Sequence, residues 1–216
     1  MNYQEVIRNI KSQANAKNVA GMARFGINST NTLGVSMPYL RKIGKQIGRD
    51  HILALKLWQS KINEARILAS LIDDPSLVSA KQMEDWVKDF DSWDVCDQVC
   101  LNLFSKTKFT WSKAVAWTKS DKEFVKRAGF ALMAVLAVHD KEVEDKEFMK
   151  LLPIIKREAK DERNFVKKAV NWALRQIGKR NSNLRKQTIK TAEEIHKIES
   201  KSAKWIASDA LRELKK

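Results

Sequence analysis

The stretch DSWDVCDQVC, residues 91 to 100, places Trp93 four positions before Asp97 and Cys96 four positions before Cys100. On a helix, residues four apart share a face, with Cβ atoms about 5 to 6 Å apart. The stretch therefore reads as a ligand cluster, a catalytic pair or the inner face of one helix. No second cysteine pair or nearby histidine pair supplies the remaining ligands of a zinc centre. Cys96 and Cys100 are thus expected to be reduced, buried, small side chains. Asp97 is the less ordinary residue. A carboxylate beside Val95, Cys96, Val99 and Leu101 is costly unless it faces a cleft or meets a cation. A buried ion pair with an arginine is its structural alternative to a chemical role, just as packing between helices is the alternative for Trp93 and Trp172.

Other chemistry finds little support. The chain has no phosphate-binding Gly-rich loop ending in GK[ST], no GxSxG and no HExxH. His51, His139 and His196 are scattered singly in polar contexts, so neither a metal cluster nor a histidine-based couple is expected, and no cofactor is implied.

The elements that must position Trp93 and Asp97 are helices. Only three prolines and seven glycines occur, and four of the glycines fall between positions 21 and 44, which leaves the rest nearly without interior breakers. Apolar residues recur at helical spacing, as in Leu53, Leu57 and Trp58, or Ile67, Leu68, Leu71 and Ile72, and no strand-like alternation persists. Turn signals at residues 36–38, 73–76, 119–121 and 178–183 divide the chain into helices of ten to twenty residues. DKEFVKRAGFALMAVL from Asp121 returns as DERNFVKKAVNWALRQI from Asp161, with Phe124 aligned on Phe165 at a shift of 41 residues. AKWIASDALREL places Ile206 a further 41 along, and NEARILASLI from Asn63 is a looser relative. A period near 40 with paired helices predicts an α-solenoid of HEAT-like repeats. The expectation is one all-α repeat domain over residues 1–216, curved, with Asp97, Arg127 and Trp172 converging on a basic concave face. Trp58, Trp86, Trp111, Trp117 and Trp205 are expected to pack in the core or between repeats.

Charge suggests the partner. With 41 Lys and Arg against 26 Asp and Glu, the chain carries a formal charge of +15, more than solubility requires of a small domain, and this favours a polyanion. No apolar run of membrane-spanning length occurs, and the first residues, MNYQEVIRNIKSQ, are polar, so a cytoplasmic monomer without membrane attachment is expected.

Five segments in order carry a family resemblance: MARF at 22–25, LGVSMPYLRKI at 33–43, SWDVCDQV at 92–99, FVKRAGFALM at 124–133 and FVKKAVNWALRQIGK at 165–179. Through them the chain resembles the AlkD-like DNA alkylation repair glycosylases, HEAT-like repeat proteins that remove cationic purines such as 3-methyladenine and 7-methylguanine from double-stranded DNA. The resemblance implies catalytic roles for Trp93, Asp97, Arg127 and Trp172. It implies DNA contacts by Arg127, Arg175, Phe25, Lys126, Lys167, Lys168 and Arg41. Phe25 stands where the best-known form of the family has a tyrosine, and it offers a ring without a hydroxyl. The segment GINSTNTLGVSMPY is polar where apolar or aromatic residues are expected, and Ser36 and Met37 replace DNA-contacting side chains.

On that resemblance, Asp97 stabilises the oxocarbenium-like sugar that forms as a cationic purine leaves, and orients the attacking water. Trp93 and Trp172 present ring faces to the growing charge, and Arg127 holds a backbone phosphate. Two other readings compete. A non-catalytic DNA-binding scaffold binds through salt-dependent phosphate neutralisation without releasing base, and a protein-binding adaptor spreads its positive charge evenly.

Overall fold

The computed structural model describes residues 1–216 and contains thirteen α-helices, one short 3-10 turn and no strand. The chain, expected as one repeat domain, divides by its contacts into two compact units, Met1–Lys108 and Phe109–Lys216. No helix is long and apolar enough to cross a membrane.

The first unit comprises α1 (Tyr3–Ser12), α2 (Ala16–Arg24), α3 (Met37–Ile47), α4 (His51–Gln59), α5 (Asn63–Ile72), α6 (Ala80–Lys88) and α7 (Trp93–Asn102), followed by the 3-10 turn Phe104–Lys106. Helix starts follow the side-chain chemistry of caps. Asn2 and Glu5 form a capping box, and Asp50 and Ser79 accept the amides of Leu53 and Gln82. The centre of the unit is α5, which packs against α3, α4 and α7. All of its residues from Asn63 to Ser70 are buried, polar ones included. Across α4 and α6, Trp58 and Trp86 stack with ring centroids 3.9 Å apart and planes 3° from parallel. The Arg66 guanidinium lies 4.9 Å from the Trp58 ring centroid, and Asp89 accepts from both residues.

The second unit comprises α8 (Thr110–Trp117), α9 (Glu123–His139), α10 (Asp145–Glu158), α11 (Asn164–Lys179), α12 (Ser182–His196) and α13 (Lys201–Leu214). Helix α11 packs between α9 and α13, while α8 pairs with α9 and α12 with α13. The sequence echo becomes a physical contact here. Phe124 and Phe165, aligned by the repeat, place their ring centroids 5.5 Å apart at the starts of α9 and α11. The starts of the helices and the polar turns before them are cross-linked at nearly the same interval, 40 to 42 positions. Glu123 accepts the Phe165 amide at 3.3 Å, Arg163 donates to the Asp121 carbonyl at 2.6 Å, and Glu162 accepts the Ser202 amide at 3.2 Å.

Trp58, Trp86 and Trp117 are buried as expected, and Trp111 packs edge-on against Phe148. Trp205 differs. It is 41% exposed on α13, where the Lys167 ammonium covers its ring at 5.4 Å.

Gly129 allows α8 and α9 to approach closely. A Cβ at this position would lie 2.9 Å from the Ala114 carbonyl oxygen and 3.0 Å from the Thr118 nitrogen. Alanine gains about 1 kcal/mol of helix propensity over glycine, but a clash with backbone atoms forces the helix pair apart at about 1 to 3 kcal/mol. Gly129→Ala is therefore expected to lower the urea midpoint of unfolding; an unchanged or raised midpoint would contradict this packing account.

Candidate active site

Helix α7 sorts the opening stretch by face. Val95, Cys96, Val99 and Cys100 are buried, with neither cysteine in a disulfide, whereas Trp93 and Asp97 are half-buried on the more open side. The two residues proposed for chemistry thus share one flank, separated by one helical turn, and the cysteines provide packing. Trp93 is the first residue of α7, after the N-cap Ser92, and its indole is fixed by a long-range bond. Its Nε1–H donates to the Phe25 carbonyl at 3.0 Å. Phe25 itself caps α2, donating its amide to Met22, and is 74% exposed.

The polar segment after Phe25 owes its composition to internal bonding. The Glu64 carboxylate, only 1% exposed in the first turn of α5, accepts the backbone amides of Leu33 at 3.0 Å, Gly34 at 2.6 Å and Val35 at 3.2 Å. Three charge-assisted bonds of this kind compensate the removal of a carboxylate from water. The Asn18 side chain donates to the Gly34 carbonyl, Thr32 to the Asn28 carbonyl, and Asn28 to the Asp91 carboxylate. Gly34 has φ of 75°, and a Cβ there would lie 2.4 Å from the Asn15 carbonyl oxygen, so both the turn and the close approach require glycine. Sequence reasoning missed Glu64. Its only local signal is an acid at the second position of the otherwise apolar NEARILASLI.

These bonds shape a pocket of about 790 Å³ whose walls include Met22, Phe25, Ile27, Val35, Met37 and Trp93. Lys17 and Arg24 stand on its wall, while Arg41 is exposed further along α3. Ser36 is the exposed N-cap of α3 and makes no side-chain cap bond.

In the second unit the expected cations have different environments. Arg127, in the second turn of α9, is 6% exposed, and its Nη1 donates to the Phe165 carbonyl at 2.7 Å. Trp172 is half-buried on α11. Arg175, three residues later, pairs with Glu213 and lies 3.5 Å from the Asp209 carboxylate. Lys167 covers the Trp205 ring, and Lys168 is exposed. Lys126 is 9% exposed, and its ammonium lies 2.7 Å from Glu158 and 3.3 Å from Asp161. Lys126 and Arg175 are thus each paired with carboxylates more than thirty positions away along the chain.

One cluster lies outside the sequence expectation for histidine. His51 Nδ1 lies 2.6 Å from the Asp73 carboxylate, which is fully buried and also accepts from Gln82 at 2.7 Å. Burial pushes the Asp73 carboxyl above its ordinary range, against the lowering effect of bonds from His51 and Gln82.

Comparison with known proteins supplies the wider frame. A family model described as DNA alkylation repair enzyme matches residues 6–214. A solved structure described as "A new family of proteins related to the HEAT-like repeat DNA glycosylases with affinity for branched DNA structures" superposes with a TM-score of 0.83. That alignment covers 98% of this chain and 95% of the other at 19% identity, and the likeness assigns a HEAT-like repeat fold. No curated protein sequence matches the chain.

The Lys126 cluster has a pH signature. Burial opposes ionisation of Glu158 and Asp161, but bonds from Lys126 and Arg157 to Glu158, and from Arg163 and Lys126 to Asp161, outweigh it and hold both carboxyls below their ordinary values. A depressed folded-state pKa adds stability above the unfolded value, about 4.3 for Glu and 3.9 for Asp, which is lost as the pH falls through the folded value. Lys126→Met should cost about 2 kcal/mol at pH 7 and reduce the further loss of stability below about pH 4. Urea unfolding of both proteins between pH 7 and pH 3 measures this; parallel profiles would exclude the ion-pair account.

Proposed function

We propose that this chain, which belongs to the DNA alkylation repair enzyme family, is a monofunctional glycosylase that removes cationic alkylated purines from double-stranded DNA. The observation that carries the reading is the pairing on α7 of a half-buried carboxylate, Asp97, with an indole, Trp93, held in place by the Phe25 carbonyl. The formal charge of +15 supplies attraction to the phosphate backbone.

A purine alkylated at N3 or N7 carries a ring positive charge and leaves as a neutral base, so the leaving group needs little protonation. The sugar needs help instead. As the C1′–N bond breaks, its electron pair goes to the purine and positive charge develops on the deoxyribose. The Asp97 carboxylate stabilises that charge through space. Water then forms the C1′–O bond and gives its proton to the Asp97 carboxylate. The Trp93 ring face attracts the polarised sugar C–H groups more strongly as the charge grows. The same proposal assigns Trp172 a second ring face and Arg127 a phosphate-directed charge. Phe25, Arg41, Lys167 and Lys168 remain proposed DNA contacts, in a protein acting as a cytoplasmic monomer.

A second reading is favoured by one comparison: the structural neighbour is described by its affinity for branched DNA. On this reading the chain binds DNA without excising base, and the α7 pair is part of a binding surface.

Single-turnover incubation with duplex DNA carrying 7-methylguanine separates the two. Wild type should release the free base, and Asp97→Asn should retain DNA affinity while slowing release by about a hundredfold. Salt-dependent binding with no release over hours would favour the binding protein, and an undiminished Asp97→Asn rate would remove the carboxylate from the mechanism.

A further inference from the structure

The construction of the pocket beside Phe25 points to a ligand. Phe25 is 74% exposed, the most exposed of the large hydrophobic residues. An aromatic ring held in water next to an apolar cavity is a stacking platform awaiting a flat partner. The cavity volume of about 790 Å³ falls in the range of small-molecule sites. Its walls are fixed in advance: Glu64 holds the Leu33, Gly34 and Val35 amides, Asn18 holds the Gly34 carbonyl, and the Trp93 indole holds the Phe25 carbonyl. A preformed site loses little entropy on binding. Lys17 and Arg24 on the wall add positive charge beside the apolar floor. A flat aromatic group covalently tied to an anion satisfies all of these features, and a nucleotide is such a group.

We propose that this pocket receives an unpaired nucleobase of DNA, stacked on Phe25, with the adjoining phosphates drawn to Lys17 and Arg24. The inference rests on the DNA-binding part of the proposed function and not on base excision. Within a continuous duplex each base is stacked between neighbours and has no ring face to offer. A flap, gap or bulged nucleotide does, and stacking on an aromatic side chain is tolerant of base identity. The pocket would therefore distinguish DNA with an unpaired nucleotide from plain duplex without reading sequence. This gives the first unit a recognition function separate from the α7 carboxylate.

Gly21 allows a test that leaves Phe25 and Trp93 in place. It lines the pocket from α2, and a Cβ there would meet nothing within 4 Å, so a larger side chain fills the cavity without displacing the fold. The affinities of wild type, Gly21→Ala and Gly21→Leu are measured by fluorescence anisotropy for a plain duplex and for the same duplex carrying one bulged 2-aminopurine. Wild type and Gly21→Ala should prefer the bulged DNA by roughly tenfold, with quenching of the 2-aminopurine on binding. Gly21→Leu should lose that preference and the quenching while binding plain duplex as wild type does. Equal affinity of wild type for the two DNAs, or a full preference retained by Gly21→Leu, overturns the pocket assignment and leaves the glycosylase reading standing. Failure of wild type to bind either DNA overturns both.

Discussion

A carboxylate at or just before the first turn of a helix, accepting backbone amides from a neighbouring segment, is the interaction on which both units depend. Glu64 takes three amides of the loop before α3, Glu123 takes the Phe165 amide, and Glu162 takes that of Ser202. Short helices begin with unsatisfied N–H groups and bury little when alone. An acid reaching out of one helix start to the start or entry loop of another settles both problems, because it pairs orphaned donors and fixes the interval between elements. The Phe124 and Phe165 rings then meet because the backbone beneath them is already in register.

This arrangement explains which parts of the structure could be read from the sequence. Helical periodicity and the spacing of 41 residues report on which faces are buried and which segments are equivalent, so the all-helical repeat and the inward cysteines were legible. Trp93 and Asp97 were legible as a pair because four residues on a helix span one turn. Periodicity carries no information about which distant acid meets a given cation. The ion pairs of Lys126 and Arg175 could not be read because Glu158, Asp161 and Glu213 lie more than thirty positions away along the chain. The His51–Asp73 contact was hidden for the same reason, its members lying 22 positions apart.

The loop between α2 and α3 shows how an apparent loss becomes a different asset. Judged by family resemblance, it is polar where apolar or aromatic residues are expected, and Ser36 and Met37 replace DNA-contacting side chains. In three dimensions Asn28 and Thr32 bond within the segment after Phe25, and Glu64 and Asn18 hold Leu33, Gly34 and Val35 at the pocket wall. A polar loop can be spent on its own rigidity, and the side chains it then presents, Phe25 above all, are few and well placed. Substrate preference in such a protein would follow from the shape of this loop as much as from the residues nearest the sugar.

The place of α11 between α9 and α13 governs how the second unit comes apart. Stacked repeats are held by nearest neighbours, so an end element loses one interface when it opens and an internal one loses two. Val170, Ala173, Leu174 and Ile177 of α11 are wholly shielded from solvent, the setting in which amide protons are best protected from exchange. The terminal helix α13 can fray at smaller cost. Opening of this half of the molecule is therefore easiest at the C-terminal end, and α9 and α11, each packed on two sides, resist it most.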